Sequence, residues 1–233
     1  MKFIRNIFKR DYKRSYAQAG EDVLADFILR ALKIRKPTYL DVGAHDPVKF
    51  SNTYYFYKNG CKGVNVEPDP ELFAKFGFKR RRDVNLNVGV AAKAGVIDFY
   101  VIPGGTTLST CSRETMERYK SIGSGEPKVL KINVVPINGI IEKYFDKCPN
   151  LVTIDVEGLE VEILESFDFK KYRPEVFCIE TVYYNENRKN DEIFKVMERN
   201  GYIVCGDTFV NTVFVDKKRW AERPTIIKNN PGE

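Results

Sequence analysis

Short apolar runs alternate with amphipathic segments along most of this chain of 233 residues. The apolar runs are rich in valine, isoleucine and leucine, which is typical of strands buried in a sheet. They predict strands at Thr38–Val42, Gly63–Val66, Val84–Val90, Leu151–Asp155, Glu175–Ile179, Tyr202–Cys205 and Asn211–Val215.

The segments between these runs repeat apolar residues at steps of three and four, as a helix does. They predict helices at Ser15–Lys33, Thr53–Lys58, Pro70–Phe76, Glu114–Ser121, Ile140–Phe145, Glu157–Glu165 and Asp191–Asn200. Val96–Ile102 alternates like an added strand or hairpin arm, and Lys128–Pro136 is strand-like. The alternation predicts the fold class α/β, with a mainly parallel, doubly wound sheet and a terminal antiparallel strand pair.

Domain organisation follows from the absence of internal repeats and of linkers rich in proline, glycine or serine. We predict a single domain over residues 15–223, a basic amphipathic arm over 1–14 and a loose polar tail over 224–233. Phe3, Ile4, Ile7 and Phe8 share one helical face of the arm. Such an arm can touch an anionic membrane, or it can pack on its own domain or a partner subunit, which we favour.

Composition narrows the class of protein. Hydrophobic residues make up 43% and charged residues 30%, as in a soluble globular protein. No apolar run approaches the roughly 20 residues of a membrane span, and the N-terminus lacks the apolar core of a secretory signal. The net charge of +6 suits an anionic substrate but is too weak for a nucleic-acid reader. Five cysteines without a CxxC pair predict reduced thiols and a cytoplasmic location.

Two strand ends carry the candidate cofactor site. Tyr39–His45 and Gly63–Pro68 each run from an apolar strand into a glycine or a carboxylate. Parallel strands bring such ends to one edge of the sheet, where a nucleoside can lie. The predicted cofactor residues, which include an amide placed to meet adenine, are Asp41, Gly43, Ala44, Glu67, Pro68 and Asn87.

The identity of the cofactor rests on the spacing of these residues and on what is missing. Glu67 follows Asp41 by 67 − 41 = 26 residues, close to the roughly 20-residue offset at which a carboxylate grips ribose hydroxyls. The chain has neither GxGxxG nor GxxxxGK[ST], so no loop is built for a pyrophosphate. Adenosine without a buried pyrophosphate indicates S-adenosylmethionine. Each residue also has an interpretation without a ligand. Gly43 can simply end the strand, Glu67 can be an exposed glutamate at a strand end, and Asn87 can be an amide at the end of a strand's hydrogen-bond ladder.

Three carboxylates follow the two later strands. Asp155 and Glu157 come directly after one strand, and Glu180 ends the next one. An acid at the start of a helix can simply cap it, but capping needs one acid and here there are two. Because the strands before Asp155 and Glu180 should flank the first strand, we expect His45, Asp155 and Glu180 to converge on one site.

The predicted catalytic residues are His45, Asp155 and Glu157. His45 is the only histidine and can take a proton from a hydroxyl near neutral pH; a solvated loop residue is the alternative. Asp155 and Glu180, with His45, can instead hold Mg²⁺ or Mn²⁺, which lowers the pKa of a hydroxyl. Substrate contacts are predicted at Ser109, Thr110 and Glu180, the first two in a loop that can also be flexible filler. The run Lys79–Arg82 is typical of a solvated face or of a contact to nucleotide phosphates.

These motifs together resemble the FkbM family of S-adenosylmethionine-dependent methyltransferases. The similar blocks are Ser15–Asp22, Tyr39–Asp46, Ser51–Tyr54, Val66–Pro68, Asn85–Ala91, Ile154–Gly158 and Ile179–Glu180. The resemblance implies a Rossmann-like class I methyltransferase fold and O-methylation, often in pathways that decorate sugars of capsules, polysaccharides or natural products. It also implies that Asp41, Gly43 and Glu67 hold the cofactor and that the Asp155–Glu157 block faces the substrate. His45-Asp46-Pro47 departs from the asparagine and glycine of many members.

We therefore predict an O-methyltransferase that acts on a small molecule. The predicted acceptor is a hydroxyl of a nucleotide-activated sugar, in polysaccharide or capsule biosynthesis. A nicotinamide dehydrogenase is a rival, against which the missing GxGxxG counts. A non-catalytic scaffold that binds a sugar nucleotide or a membrane surface on the same fold is the second rival. The sequence makes no prediction of an oligomer.

Overall fold

The computed structural model describes residues 13–102, 109–121, 125–183 and 188–224. Most of the predicted arm, most of the predicted tail and part of the loop before Ser109 lie outside these residues. Within the described ranges, no helix is both long and apolar enough to span a bilayer.

A central sheet of seven strands confirms the predicted architecture. Its order is β11-β12-β8-β7-β1-β2-β3, and its strands are β1 (Thr38–Val42), β2 (Lys62–Val66), β3 (Val84–Leu86), β7 (Leu151–Ile154), β8 (Val176–Glu180), β11 (Tyr202–Asp207) and β12 (Asn211–Asp216). The neighbours from β8 to β3 pair in parallel. Strand β12 is antiparallel to both β8 and β11, so the expected terminal pair closes one edge.

Two small sheets add to this frame. One has the order β4-β6-β5 and contains β4 (Gly89–Val90), β5 (Gly95–Val101) and β6 (Lys128–Val135). Strands β9 (Val182–Tyr183) and β10 (Arg188–Lys189) form the other, a pair that the sequence did not predict. The predicted strand Val84–Val90 is wrong as one element, because it splits into β3 and β4. Asn87 lies at the break, where its side-chain amide donates to the backbone carbonyls of Glu67 and Pro68 at 2.9 and 3.0 Å.

The helices are α1 (Glu21–Ala31), α2 (Tyr54–Lys58), α3 (Pro70–Phe73), α4 (Phe76–Lys79), α5 (Arg113–Ser121), α6 (Ile137–Tyr144), α7 (Glu160–Ser166), α8 (Asp191–Arg199) and α9 (Lys217–Ala221). The prediction that a helix starts at Ser15 is wrong. The carboxylate of Asp22 accepts hydrogen bonds from Ser15 Oγ and Tyr16 N at 2.6 and 2.7 Å, which holds the preceding segment as a loop.

Both faces of the central sheet are covered, as predicted for a doubly wound fold. On one face, Ile28 and Leu29 of α1 and Phe56 of α2 pack with the sheet residues Tyr39 and Val176. The other face packs against α6, α7 and α8 through residues that include Ile140, Ile163 and Val196. Burial on both faces explains why the strands are almost continuously apolar and leaves polar side chains concentrated at the strand ends.

A buried guanidinium lies beneath the first strands. Arg80 has no solvent exposure, and its Nε donates to Asp83 at 2.8 Å. Its Nη2 donates to Thr53 Oγ1 at 2.8 Å and to Asn65 Oδ1 at 2.9 Å. The members of the basic run Lys79–Arg82 therefore differ in exposure. Lys79, Arg81 and Arg82 are exposed, whereas Arg80 is buried and supports the end of β1.

Candidate active site

A cavity of about 330 Å³ opens at the carboxyl ends of β1, β2, β7 and β8. This volume is in the range of small-molecule sites, about 300–1,000 Å³. Its walls contain most of the residues that the sequence singled out: Asp41, Gly43, Ala44, His45, Glu67, Pro68, Ser109, Asp155, Glu157 and Glu180. Further lining residues, which the sequence analysis did not assign to a site, include Gln18, Phe50, Leu72 and Phe99.

The turn after β1 passes very close to the end of β7. Gly43 has φ +79°, and a Cβ added there would lie 1.7 Å from the carbonyl oxygen of Asp155. The amides of Gly43 and Ala44 both donate to the carbonyl of Val66, each at 3.0 Å. Glycine is thus required by a backbone crossing inside the protein, as well as lying on the cavity wall.

Glu67 is buried at the cavity wall, with 5% exposure, which excludes the alternative of an exposed strand-end glutamate. Its Oε2 accepts from the amide of His45 at 2.7 Å and its Oε1 from the amide of Asp69 at 2.8 Å. Burial raises the pKa of this carboxyl to about 8, although the two hydrogen bonds from backbone amides oppose the shift. The carboxyl group is therefore held in a fixed orientation beside the turn at Gly43.

Asp41 and Asn87 have internal hydrogen-bond partners. The Asp41 carboxylate accepts from Thr53 Oγ1 at 2.5 Å and from Thr153 Oγ1, and burial raises its pKa. It thereby ties β1 to β7 and to the start of α2, while ligand contact by Asp41 stays a prediction. Asn87 is not among the described residues that line the cavity; its amide fixes the turn after β2, so adenine contact there also stays a prediction.

Asp155, Glu157 and Glu180 form a carboxylate cluster. One oxygen from each lies within 4.8 Å of the others. Burial is the main cause that raises the pKa of Asp155 to about 7, and it raises those of Glu157 and Glu180 well above their ordinary value. The charge of Asp155 raises the pKa values of Glu157 and Glu180 further, and the charge of the neighbouring Glu160 raises that of Asp155, which a hydrogen bond from Glu180 opposes. Such a group either retains protons near neutral pH or gains from binding a cation.

The backbone amides of this turn are bound by a carboxylate that the sequence did not single out. Glu160 accepts from the amides of Val156 at 2.9 Å and Gly158 at 3.0 Å. The prediction that a helix begins at Glu157 is wrong, because Glu157 and Gly158 have φ +57° and +116° and α7 starts at Glu160. Gly158, whose φ of +116° favours glycine, was the available signal for this later start.

Contacts from the preceding loop and α5 hold Glu157 in this left-handed conformation. Tyr119 Oη donates to its carboxylate at 2.5 Å, and Thr110 Oγ1 donates to its carbonyl at 2.5 Å. Thr110 is fully buried and supports Glu157 rather than lining the cavity among the described residues. Ser109 does line it, and its buried hydroxyl has no hydrogen-bond partner in the described part of the chain.

His45 lies in the same cavity but not in the carboxylate cluster. Its backbone amide binds Glu67, and it has φ +49°. Among the described residues its Nε2 is buried without a partner, and burial lowers the pKa of the imidazole, which keeps it neutral and able to accept a proton. His45, Asp155 and Glu180 thus share one cavity, whereas the potential metal ligands found in the described ranges are Asp155, Glu157 and Glu180 without His45.

The sheet order, the reversed strand β12 next to the edge and the polar cavity beyond β1 and β2 define a Rossmann-like class I methyltransferase fold. The family model described as methyltransferase FkbM domain matches residues 41–204, more than two thirds of the sequence. The chain belongs to the FkbM methyltransferase family.

Solved structures with similar folds share little sequence with this chain. Methyltransferase FkbM from Methylobacillus flagellatus has a TM-score of 0.47 and 14% identity over 77% of this chain, which spans 43% of that protein's chain. A TehB-like SAM-dependent methyltransferase from Corynebacterium glutamicum has a TM-score of 0.45 and 13% identity, and the match covers 93% of this chain and 95% of that protein's chain. An O-methyltransferase from Bacillus cereus, in complex with SAH, has a TM-score of 0.38 and 11% identity, and the match covers 88% of this chain and 82% of that protein's chain. No curated protein matches the sequence.

Gly43→Ala tests the backbone crossing under the site. We expect a loss of about 2 kcal/mol or more in the free energy of unfolding, because the left-handed backbone disfavours alanine by roughly 1–2 kcal/mol and the new Cβ meets Asp155. Gly77→Ala is the matched control: a Cβ there meets nothing within 4 Å, so stability should be unchanged or slightly raised. Urea unfolding measures the stability of both variants. Equal free energies of unfolding for Gly43→Ala and Gly77→Ala would contradict the requirement for glycine at position 43.

Proposed function

We propose that this protein transfers the methyl group of S-adenosylmethionine to a hydroxyl group of a small molecule. The observation that carries the proposal is the oriented, buried carboxyl group of Glu67, which lines the cavity beside Gly43. Its two oxygens already accept backbone amides and have capacity left for the two ribose hydroxyls. The unpartnered Nε2 of His45 and hydroxyl of Ser109, within the described residues, supply further polar atoms for a ligand.

When bound, the cofactor supplies an electrophilic methyl group on a positively charged sulfur. The carboxylate cluster of Asp155, Glu157 and Glu180 lies in the wall of the same cavity and provides negative charge for this cation. Holding the acceptor oxygen in line with the methyl group is worth most of the acceleration, since aligned reactants avoid a large entropy cost. The rigid turn at Gly43 and the hydrogen-bonded Glu67 supply that fixed geometry.

A base must take the proton of the acceptor hydroxyl. We propose His45 for this role, because its imidazole is neutral and its Nε2 faces no protein partner among the described residues. The clustered oxygens of Asp155, Glu157 and Glu180 also fit Mg²⁺ or Mn²⁺, which would lower the pKa of a bound hydroxyl instead. Chelation separates these two routes.

We propose that the acceptor is a nucleotide-activated sugar and that the enzyme acts in polysaccharide or capsule biosynthesis. The net charge of +6 supports an anionic partner. The resemblance of the motifs to enzymes that decorate sugars supports the same class. A cytoplasmic location, where the free cysteines would stay reduced, completes the proposal.

Affinity for S-adenosylhomocysteine should depend on the ionisation of Glu67. Ribose hydroxyls donate to a carboxylate, so binding favours the ionised form and releases a proton. With a pKa of about 8 in the free protein, we expect the affinity to rise at least about fivefold from roughly pH 6 to pH 9. The product is the better probe, since it lacks the sulfonium charge that the carboxylate cluster would attract.

Calorimetry with wild type and Glu67→Gln measures this effect. The variant should bind about tenfold more weakly or worse at the higher pH and should lose most of the pH dependence. Calorimetry with NAD, which should show no binding, excludes the dehydrogenase. A wild-type affinity that is flat with pH and equal to that of Glu67→Gln would contradict the proposed role.

Methyl transfer to a panel of nucleotide sugars, read by mass spectrometry, separates an enzyme from a scaffold. We expect His45→Ala to lower kcat by about 10²-fold or more, the usual contribution of a positioned base. Asp155→Ala should also lower it strongly, whereas the exposed Asp146→Ala is the matched control and should not. A rate that survives a chelator removes the metal route. Turnover that is unaffected by both His45→Ala and Asp155→Ala would contradict the site.

A further inference from the structure

A second cavity lies on the other side of the carboxylate cluster. It has a volume of about 110 Å³ and is lined partly by α5 and by the start of α8. Glu157 and Glu180 line both this cavity and the larger one, so the two spaces share a wall of two carboxyl groups. The second cavity plays no part in the proposed binding of the cofactor.

The size of this cavity limits what can occupy it. At about 30 Å³ for each water molecule in the liquid, it holds the equivalent of about four waters. That is enough for one end of an acceptor, such as the edge of a sugar ring, and too little for a nucleotide. Thr115 and Ser112 on one side and Val182 and Ile193 on the other give it polar and apolar walls.

The charges around this cavity disfavour a phosphate. Four carboxyl groups line it, from Glu114, Glu157, Glu160 and Glu180. The cation on the wall, Arg118, donates to Glu114 at 3.0 Å and so has a carboxylate beside it. A phosphate would therefore meet carboxylates, which repel it strongly in partly buried surroundings, or protonated carboxyls, rather than a surplus of cations. Hydroxyl groups, by contrast, can donate to carboxylates and accept from protonated carboxyls.

The shared wall also positions this cavity for the reaction. Tyr119 Oη holds the Glu157 carboxylate at 2.5 Å, and Glu180 is buried with 6% exposure. A hydroxyl that reaches this wall from the second cavity meets the larger cavity at the carboxylate cluster. That is where the proposed cofactor would present its methyl group.

We propose that the second cavity binds the uncharged, hydroxyl-bearing end of the acceptor, and that any phosphate of the acceptor stays outside it. This inference rests on the proposed function and narrows it, because it assigns the reacting end of the acceptor to the space between α5 and α8. Glu157 and Glu180 then lie beside the reacting hydroxyl, whose proton goes to the base of the proposed function.

Two matched sugars test the inference without a known acceptor. Methyl β-glucopyranoside and glucose 1-phosphate are added at tens of millimolar to the full chain saturated with S-adenosylhomocysteine, and backbone amide shifts are followed by NMR. We expect the neutral sugar to shift the amides of Thr115 and Gly158, with the phosphate ester at least about tenfold weaker at the same amides. Thr115→Phe should abolish these shifts by filling the cavity, and Glu117→Phe, on an exposed position of the same helix, should keep them.

Each alternative result has a distinct meaning. Equal or stronger binding of glucose 1-phosphate at Thr115 and Gly158 would overturn the inference. So would the absence of any shift there with both sugars, when S-adenosylhomocysteine still shifts Gly43 and Ala44. Shifts that persist in Thr115→Phe would overturn it as well. If S-adenosylhomocysteine leaves Gly43 and Ala44 unchanged, the proposed function fails, and the inference with it.

Discussion

The burial of carboxyl groups at one edge of a parallel sheet is the constraint on which this structure depends. A buried carboxylate is costly unless hydrogen bonds or cations satisfy it. Glu67 is satisfied by two backbone amides, and Asp41 by two threonine hydroxyls. Burial raises the pKa values of all these groups, and in the carboxylate cluster Tyr119 donates a hydrogen bond to one member, Glu157. The edge therefore combines fixed acceptors with groups that a cationic or hydroxyl-bearing ligand would stabilise.

These two kinds of carboxyl group suggest a division of labour within the proposed enzyme. The fixed acceptor, Glu67, is suited to recognition of the cofactor, since two hydrogen bonds from backbone amides already orient its carboxyl group. The cluster is suited to the reacting centre, because three carboxyl groups that lie close together can stabilise a cation. Its position between the two cavities gives both proposed ligands access to the same carboxyl groups.

Much of the frame could be predicted from the sequence, because strands buried on both faces are marked by their apolar runs. Strands β1, β2, β7 and β8, the antiparallel pair and the meeting of Asp155 with Glu180 all followed from that pattern and from parallel topology. The break between β3 and β4 did not, since it depends on hydrogen bonds of Asn87 to a different strand end. Likewise, Asp41 meets Thr153 and Gly43 meets Asp155 only after the strands have assembled, and Arg80 gave no sign of burial within its basic run.

A crystal structure of the protein with S-adenosylhomocysteine bound tests the central claim most directly. The account predicts that both ribose hydroxyls lie within hydrogen-bond distance of the Glu67 carboxylate, at about 2.5–3.0 Å, with the sulfur directed toward Asp155 and Glu180. A ribose that lies away from Glu67, or a nucleoside bound outside the cavity beside Gly43, would contradict it.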